Sequence, residues 1–186
     1  MNKQNLVLIG ALLGFGCLLG EGQIVTYSQS LPTSAITLTA EDYFERAEAY
    51  VKQAEAYSLL RGLKDREARL AVLKAPLADY NQAIKLNPQY AVAYYQRGNV
   101  YAQVGGQQAA LDALVDYTQA IKLNPQYAVA YYQRGNVYAQ VGGQQAALDD
   151  YNQAIQLVPD DPEFYYDRGL LRDQIGDQQG ATTDYL

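Results

Sequence analysis

Chemistry in proteins draws on a short list of side chains, and this chain of 186 residues lacks much of it. It contains no His, and its single Cys is Cys17, inside an apolar run near the N-terminus. An imidazole or thiolate metal site, a His-dependent triad and an intrachain disulfide are therefore excluded from the body of the protein. Carboxylates remain. Asp149 and Asp150 are neighbours in sequence, so on a helix they point in different directions and cannot share one reacting atom. Asp160-Asp161-Pro162-Glu163 resembles a cation cluster. A helix N-terminus explains it better, since that position wants a capping oxygen, a residue without N–H, and negative charge. Gly105-Gly106 and Gly142-Gly143 stand where helices should stop, and no phosphate-cradling loop is present. No catalytic, cofactor or metal site is expected.

Composition narrows the rest. Acidic residues outnumber basic ones 20 to 14, giving a net charge of −6, the wrong sign for a nucleic-acid surface. The hydrophobic fraction is 49%, enough for a folded core. The aromatic set is lopsided, with 18 Tyr, 3 Phe and no Trp. Large amphipathic rings must therefore do the space-filling.

Residues 1–22 read as a signal peptide or membrane anchor. One Lys in Met1-Asn2-Lys3-Gln4-Asn5 precedes an apolar run from Leu6 to Gly20, which is shorter than the ~20 residues a spanning helix needs. Cleavage after Gly22, an uncleaved anchor and lipidation of Cys17 stay open, although Gly14-Phe15-Gly16 lacks the Leu expected before a lipoprotein cysteine. Either way the chain is expected to be exported: periplasmic, envelope-associated or secreted. Residues 23–40 carry Ser, Thr and Pro without helical period and read as a linker.

Beyond the linker the chain repeats itself. Tyr80–Asp112 and Tyr117–Asp149 are 33-residue segments, offset by 37, that differ only at Asn81 versus Thr118. A diverged copy follows at an offset of 34, placing Tyr165-Tyr166-Asp167-Arg168-Gly169 under Tyr131-Tyr132-Gln133-Arg134-Gly135. Within one copy, Tyr131, Gly135 and Tyr138 share one helical face and Ala147, Tyr151 and Ala154 another, separated by Gly142-Gly143. Small residues at Gly135, Ala147 and Ala154 let helix backbones approach, and Tyr fills the space between layers. The spacing predicts an all-α chain of helix pairs.

This pattern resembles the tetratricopeptide repeat family. Counting from Ala128, an aromatic falls at position 4 (Tyr131), Gly at 8 (Gly135), Tyr at 11 (Tyr138), Ala at 20 (Ala147), Tyr at 24 (Tyr151), Ala at 27 (Ala154) and Pro at 32 (Pro159). Arg134 departs from the Leu common there. The same Arg recurs at Arg97 and Arg168, and each unit carries Asp before its second-helix Tyr (Asp116, Asp150, Asp184). A structural Arg–Asp contact within the stack is expected. The units read as an irregular first repeat over 41–90, repeats over 91–127 and 128–161, and a truncated last repeat over 162–186. The first unit is 17 residues longer than one repeat, since Ala47 and Gly98 stand 51 residues apart, with an insertion containing Lys64–Lys74 and Pro76 in the first turn of its second helix. The chain stops at Leu186 without the Ala and Pro that close earlier units, so no capping helix is expected there.

The resemblance implies a right-handed α-solenoid whose inner groove is lined by first-helix positions 2, 5, 9, 12 and 13. Carried onto this chain, these are Val92, Tyr95, Asn99, Ala102 and Gln103, then Val129, Tyr132, Asn136, Ala139 and Gln140, then Glu163, Tyr166, Leu170, Asp173 and Gln174. Family members that grip a C-terminal carboxylate use Lys or Arg at groove positions, and none stands here. The implied function is a non-catalytic scaffold binding another protein or peptide. A self-assembling structural protein, associating through its uncapped C-terminal end, and an accessory subunit of an enzyme complex stand as alternatives.

Overall fold

The computed structural model describes residues 37–61 and 66–186; the signal or anchor reading of residues 1–22, and nearly all of the linker, lie outside them. Eight helices make up the described part: α1 (Ala40–Arg61), α2 (Arg66–Leu86), α3 (Ala91–Val104), α4 (Gln107–Leu123), α5 (Ala128–Gln140), α6 (Gln144–Leu157), α7 (Pro162–Gln174) and α8 (Gln178–Asp184). They form consecutive pairs, an α-solenoid in which each helix packs on its sequence neighbours. The first helix is fixed at its start by Thr39 and Asp42. The Thr39 hydroxyl accepts from the Asp42 N–H at 3.1 Å, and the Asp42 carboxylate accepts from the Thr39 N–H at 2.8 Å. Between pairs, Asn87 and Asn124 turn the chain, each side-chain oxygen accepting from the N–H two residues on at 3.1 Å.

Close approach of paired helices depends on one contact repeated along the chain. A Cβ added to Gly98 would lie 2.8 Å from the Tyr117 ring, one added to Gly135 2.9 Å from Tyr151, and one added to Gly169 2.5 Å from Tyr185. The second Tyr of each pair thus packs directly against a first-helix glycine. Tyr117 and Tyr151 are buried, with Ala113 and Ala147 fully enclosed beside them. The first pair uses Ala47 against Tyr80 instead, both buried in one cluster.

The first pair corrects one expectation. Pro76 does not open a helix; it lies inside α2, fully buried. The excess residues of this unit lengthen α1 and α2 rather than forming a separate insertion before the second helix. Proline at such a position removes one helical hydrogen bond. Burial of its ring offsets part of that cost.

The 37-residue offset leaves three residues beyond a 34-residue repeat in the second unit, most simply Ala113-Leu114-Val115, and helical phase then predicts Ala113 rather than Ala110 opposite Gly98. Because three residues turn a helix by about 300°, only one half of α4 can keep its phase. The C-terminal half keeps it. Ala113, Asp116 and Tyr117 occupy the places of Ala147, Asp150 and Tyr151, and α4 begins at Gln107, almost a full turn earlier relative to its end than α6. The turn that feeds it has two successive left-handed residues, Gly105 (φ 72) and Gly106 (φ 88). The added turn delivers Ala109 into the core of the first repeat beside Val100 and Val104. Ala113 is fully buried and Ala110 only half-buried. We expect Ala113→Leu to destabilise by roughly 1–3 kcal/mol through overpacking, and Ala110→Leu clearly less. Chemical denaturation of the two variants checks the order, and the reverse order would assign the register to the N-terminal half.

Candidate functional site

The expected Arg–Asp contact exists in every pair. Arg97 grips Asp116 through two hydrogen bonds of 2.7 and 2.6 Å, Arg134 grips Asp150 at 2.8 and 2.8 Å, and Arg168 grips Asp184 through the same two nitrogens. Arg46 and Asp79 make a further copy at 2.6 and 2.7 Å that the sequence reading did not pair. The alignment of Arg46 with Arg97 would have found it. The third guanidinium nitrogen reaches backwards to the preceding repeat: Arg97 to Asn81 at 2.5 Å, Arg134 to Thr118 at 3.0 Å, Arg168 to Asn152 at 2.6 Å. Each Arg also lies over the ring three residues before it, 5.1 to 5.7 Å from the centroids of Tyr43, Tyr94, Tyr131 and Tyr165. Burial pushes the Asp116 carboxyl up from its usual range, against the pull of Arg97. These arginines are therefore committed to the scaffold.

A second recurring device is a stack of three rings. At position 5 of each first helix stands Phe44, Tyr95, Tyr132 or Tyr166. Each packs on its own second-helix Tyr, with centroids 5.8 Å apart for Phe44–Tyr80 and 6.0 Å for Tyr95–Tyr117, Tyr132–Tyr151 and Tyr166–Tyr185. The first three also meet a ring at the start of the next first helix, Phe44–Tyr90 at 5.0 Å and Tyr95–Tyr127 at 4.9 Å at its N-cap and Tyr132–Phe164 at 4.7 Å in its first turn. All are tilted, the arrangement aromatic quadrupoles prefer.

These stacks sort the predicted groove residues. Tyr132 is 4% exposed and donates its hydroxyl to Asp167 at 2.6 Å; it joins repeats and offers little surface to a partner. Tyr95 is half-buried, and Tyr166 is 56% exposed. Asn99 and Asn136 are half-buried, their oxygens accepting from the Tyr117 and Tyr151 hydroxyls at 2.8 and 2.7 Å. Their amide nitrogens donate to Gln96 and Gln133 at 2.9 and 3.5 Å. The remaining set stands open: Val92, Ala102, Gln103, Val129, Gln140, Glu163, Leu170, Asp173 and Gln174 are exposed and Ala139 is half-buried. Sequence reasoning missed the contribution of α1, where the register set by Arg46 places Phe44 at position 5 and Glu48 at position 9. Glu48 accepts from the Tyr80 hydroxyl and, at 3.4 Å, from Gln96.

Elsewhere, Asp161 caps α7 by accepting from the Glu163 N–H at 3.0 Å, with Pro162 in the first turn. That assigns the acidic run Asp160–Glu163 to capping. Among the described residues no group of three metal-ligating side chains converges, and no helix is long and apolar enough to cross a membrane. A concavity of about 650 Å³ lies at the last repeat, lined by Pro159, Pro162, Tyr165, Tyr166 and Tyr185.

A family model described as TPR repeat matches residues 74–105, 112–142 and 143–176. No curated protein matches in sequence. Among solved structures, the chain is similar to a crystal structure of MamA, with 24% identity over 78% of this chain and 85% of that one, at a TM-score of 0.58. It is similar to the first TPR of Spaghetti (RPAP3) bound to the HSP90 peptide SRMEEVD, at 19% identity over 74% and 93% of the two chains, TM-score 0.61. A tetratricopeptide repeat protein from Parabacteroides merdae ATCC 43184 gives 22% identity and a TM-score of 0.62, over 78% of this chain and 50% of that one. At these identities the likeness is one of fold.

Burial raises the hydroxyl pKa of Tyr117, Tyr132 and Tyr151 well above 10.0, and pushes that of Tyr127 up to about 12. A raised folded-state pKa means the folded chain holds its proton where the unfolded chain loses it. Stability from these groups is therefore intact below the unfolded value of about 10 and falls as pH rises above it. We expect unfolding free energy to be insensitive to tyrosine ionisation up to about pH 10 and then to drop. Tyrosinate absorbance should rise together with loss of helical circular dichroism. Tyrosinate formation at the buried rings with the helices intact would contradict it.

Proposed function

The chain belongs to the tetratricopeptide repeat family, and from that premise we propose that it is a non-catalytic scaffold that holds another polypeptide in its first-helix groove. The observation that carries this reading is the exposed row Val92, Gln103, Val129, Gln140 and Leu170, displayed on helices whose own arginines and buried rings are used up internally. Apolar and amide side chains of this kind suit an extended backbone, the amides donating and accepting while the valines exclude water. The RPAP3 structure, in which the same fold is bound to a peptide, supports the reading by analogy. A second reading, self-association through the last repeat, draws on the exposure of Tyr166 (56%) and Tyr185 (44%) beside the concavity described above. Concentration-dependent mass by light scattering separates the two.

Replacing Tyr95 and Tyr166 by Ala should weaken capture of a pulled-down partner by more than about 1 kcal/mol in sum. Tyr132 is left out of the pair because its loss would open a cavity between repeats. A folded double variant with unchanged affinity would return both rings to a purely structural role.

We further propose that the mature chain lies outside the cytoplasm or at a membrane, on the strength of the Leu6–Gly20 run after Lys3. Cell fractionation with intact-mass measurement should find the product cleaved near Gly22 or membrane-bound. A full-length, freely soluble cytoplasmic product would refute this.

A further inference from the structure

Charge along the groove is sorted in an unusual way. The basic side chains that border the first helices, Arg46, Arg97, Arg134 and Arg168, are each neutralised by an Asp, and Arg172 shares Asp184 with Arg168. The carboxylates at the groove positions form no ion pair among the described residues. In α1, Glu41 and Glu48 stand at positions 2 and 9, and Glu48 accepts from two neutral donors, the Tyr80 hydroxyl and the Gln96 amide. In α7, Glu163 and Asp173 stand at positions 2 and 12, Asp173 accepts from the Tyr185 hydroxyl at 3.0 Å, and the neighbouring Asp167 accepts from the Tyr132 hydroxyl at 2.6 Å. Lys52 is the one basic residue on the matching positions of the described first helices. Between these two ends α3 and α5 present only Val, Ala, Asn, Gln and Tyr at those positions. Glu41 and Glu48 against Lys52 at the α1 end, and Glu163 and Asp173 with no base at the α7 end, leave both ends of the groove net negative and its middle uncharged.

We infer that the groove receives an extended segment with Lys or Arg near each end and uncharged side chains between them. This rests on the groove reading above and specifies its partner. A carboxylate held by a tyrosine hydroxyl keeps its full charge, oriented and partly desolvated, so an arriving ammonium or guanidinium adds a charge-assisted bond without breaking an ion pair. An acidic segment would meet repulsion at both ends with no groove arginine free to answer it.

The test uses the full chain and three synthetic nonapeptides with the same uncharged centre, carrying Lys-Arg, Gln-Gln or Glu-Glu at both ends. Affinity is measured by fluorescence anisotropy at low and high salt, and the binding site is mapped by amide chemical-shift changes. The basic peptide should bind at least tenfold more tightly than the acidic one, map to α3 and α5, and lose its advantage as salt rises. Glu41→Gln with Glu163→Gln, both at exposed positions, should reduce the preference several-fold without loss of helix content. Should the neutral or acidic peptide bind as tightly and map to the same helices, the charge inference is overturned while the groove reading stands. Basic-peptide binding that maps away from α3 and α5 overturns both. Absence of binding by all three overturns the inference and leaves the groove reading to the capture experiment with Tyr95→Ala and Tyr166→Ala.

Discussion

Everything in this stack depends on the guanidinium that ties three helices at once. Arg134 holds Asp150 on its own partner helix through two nitrogens and Thr118 on the previous repeat through the third. A planar fork with donors on several edges can do this, and an ammonium cannot. The Asp carboxylates are nearly buried, so the pair is costly to desolvate and contributes less to stability than its geometry suggests. Its larger effect is on specificity. With either partner missing, the other is stranded, and helix pairs in any other register leave both unsatisfied.

The ring stacks complement this polar link. Tyr151 sits over Gly135 and against Tyr132, which in turn meets Phe164 of the next repeat. Pair closure and repeat-to-repeat packing therefore share a side chain. Tyr is suited to the task because its ring fills the layer while its hydroxyl reaches a polar partner at the edge. The lopsided tyrosine content has this explanation: rings that would be Leu in an ordinary helical core here anchor Asn99, Asn136 and Asp167 through hydrogen bonds.

Much of this was legible in the sequence because the repeats are nearly copies. Recurrence of Arg97, Arg134 and Arg168 with Asp116, Asp150 and Asp184 gave the ion pairs, and helical phase alone gave the burial of Ala113 over Ala110. The first unit was less readable. Pro76 looked like a helix start by local rules, yet tertiary burial holds it inside α2. Exposure at position 5 was legible only in part, since the ring there is open or closed according to what the next helix pair supplies. The sequence positions of Tyr95, Tyr132 and Tyr166 are equivalent; their surroundings are not. Tyr132 is closed off by Phe164, a ring 32 residues downstream, at a position where its sibling repeat carries Ala130.

The near-identity of Tyr80–Asp112 and Tyr117–Asp149 has a cost during folding. A helix from one copy can recognise the partner of the other almost equally well, and mispaired intermediates are the characteristic hazard of such arrays. Two small differences break the degeneracy. The added turn of α4 gives its pair a length that α6 cannot imitate, and it places Ala109 in a core that the shorter helix does not reach. The exchange of Asn81 for Thr118 changes the acceptor offered to the incoming guanidinium. What looks like sloppy duplication thus works as an address label, telling each helix which of two nearly identical neighbours is its own.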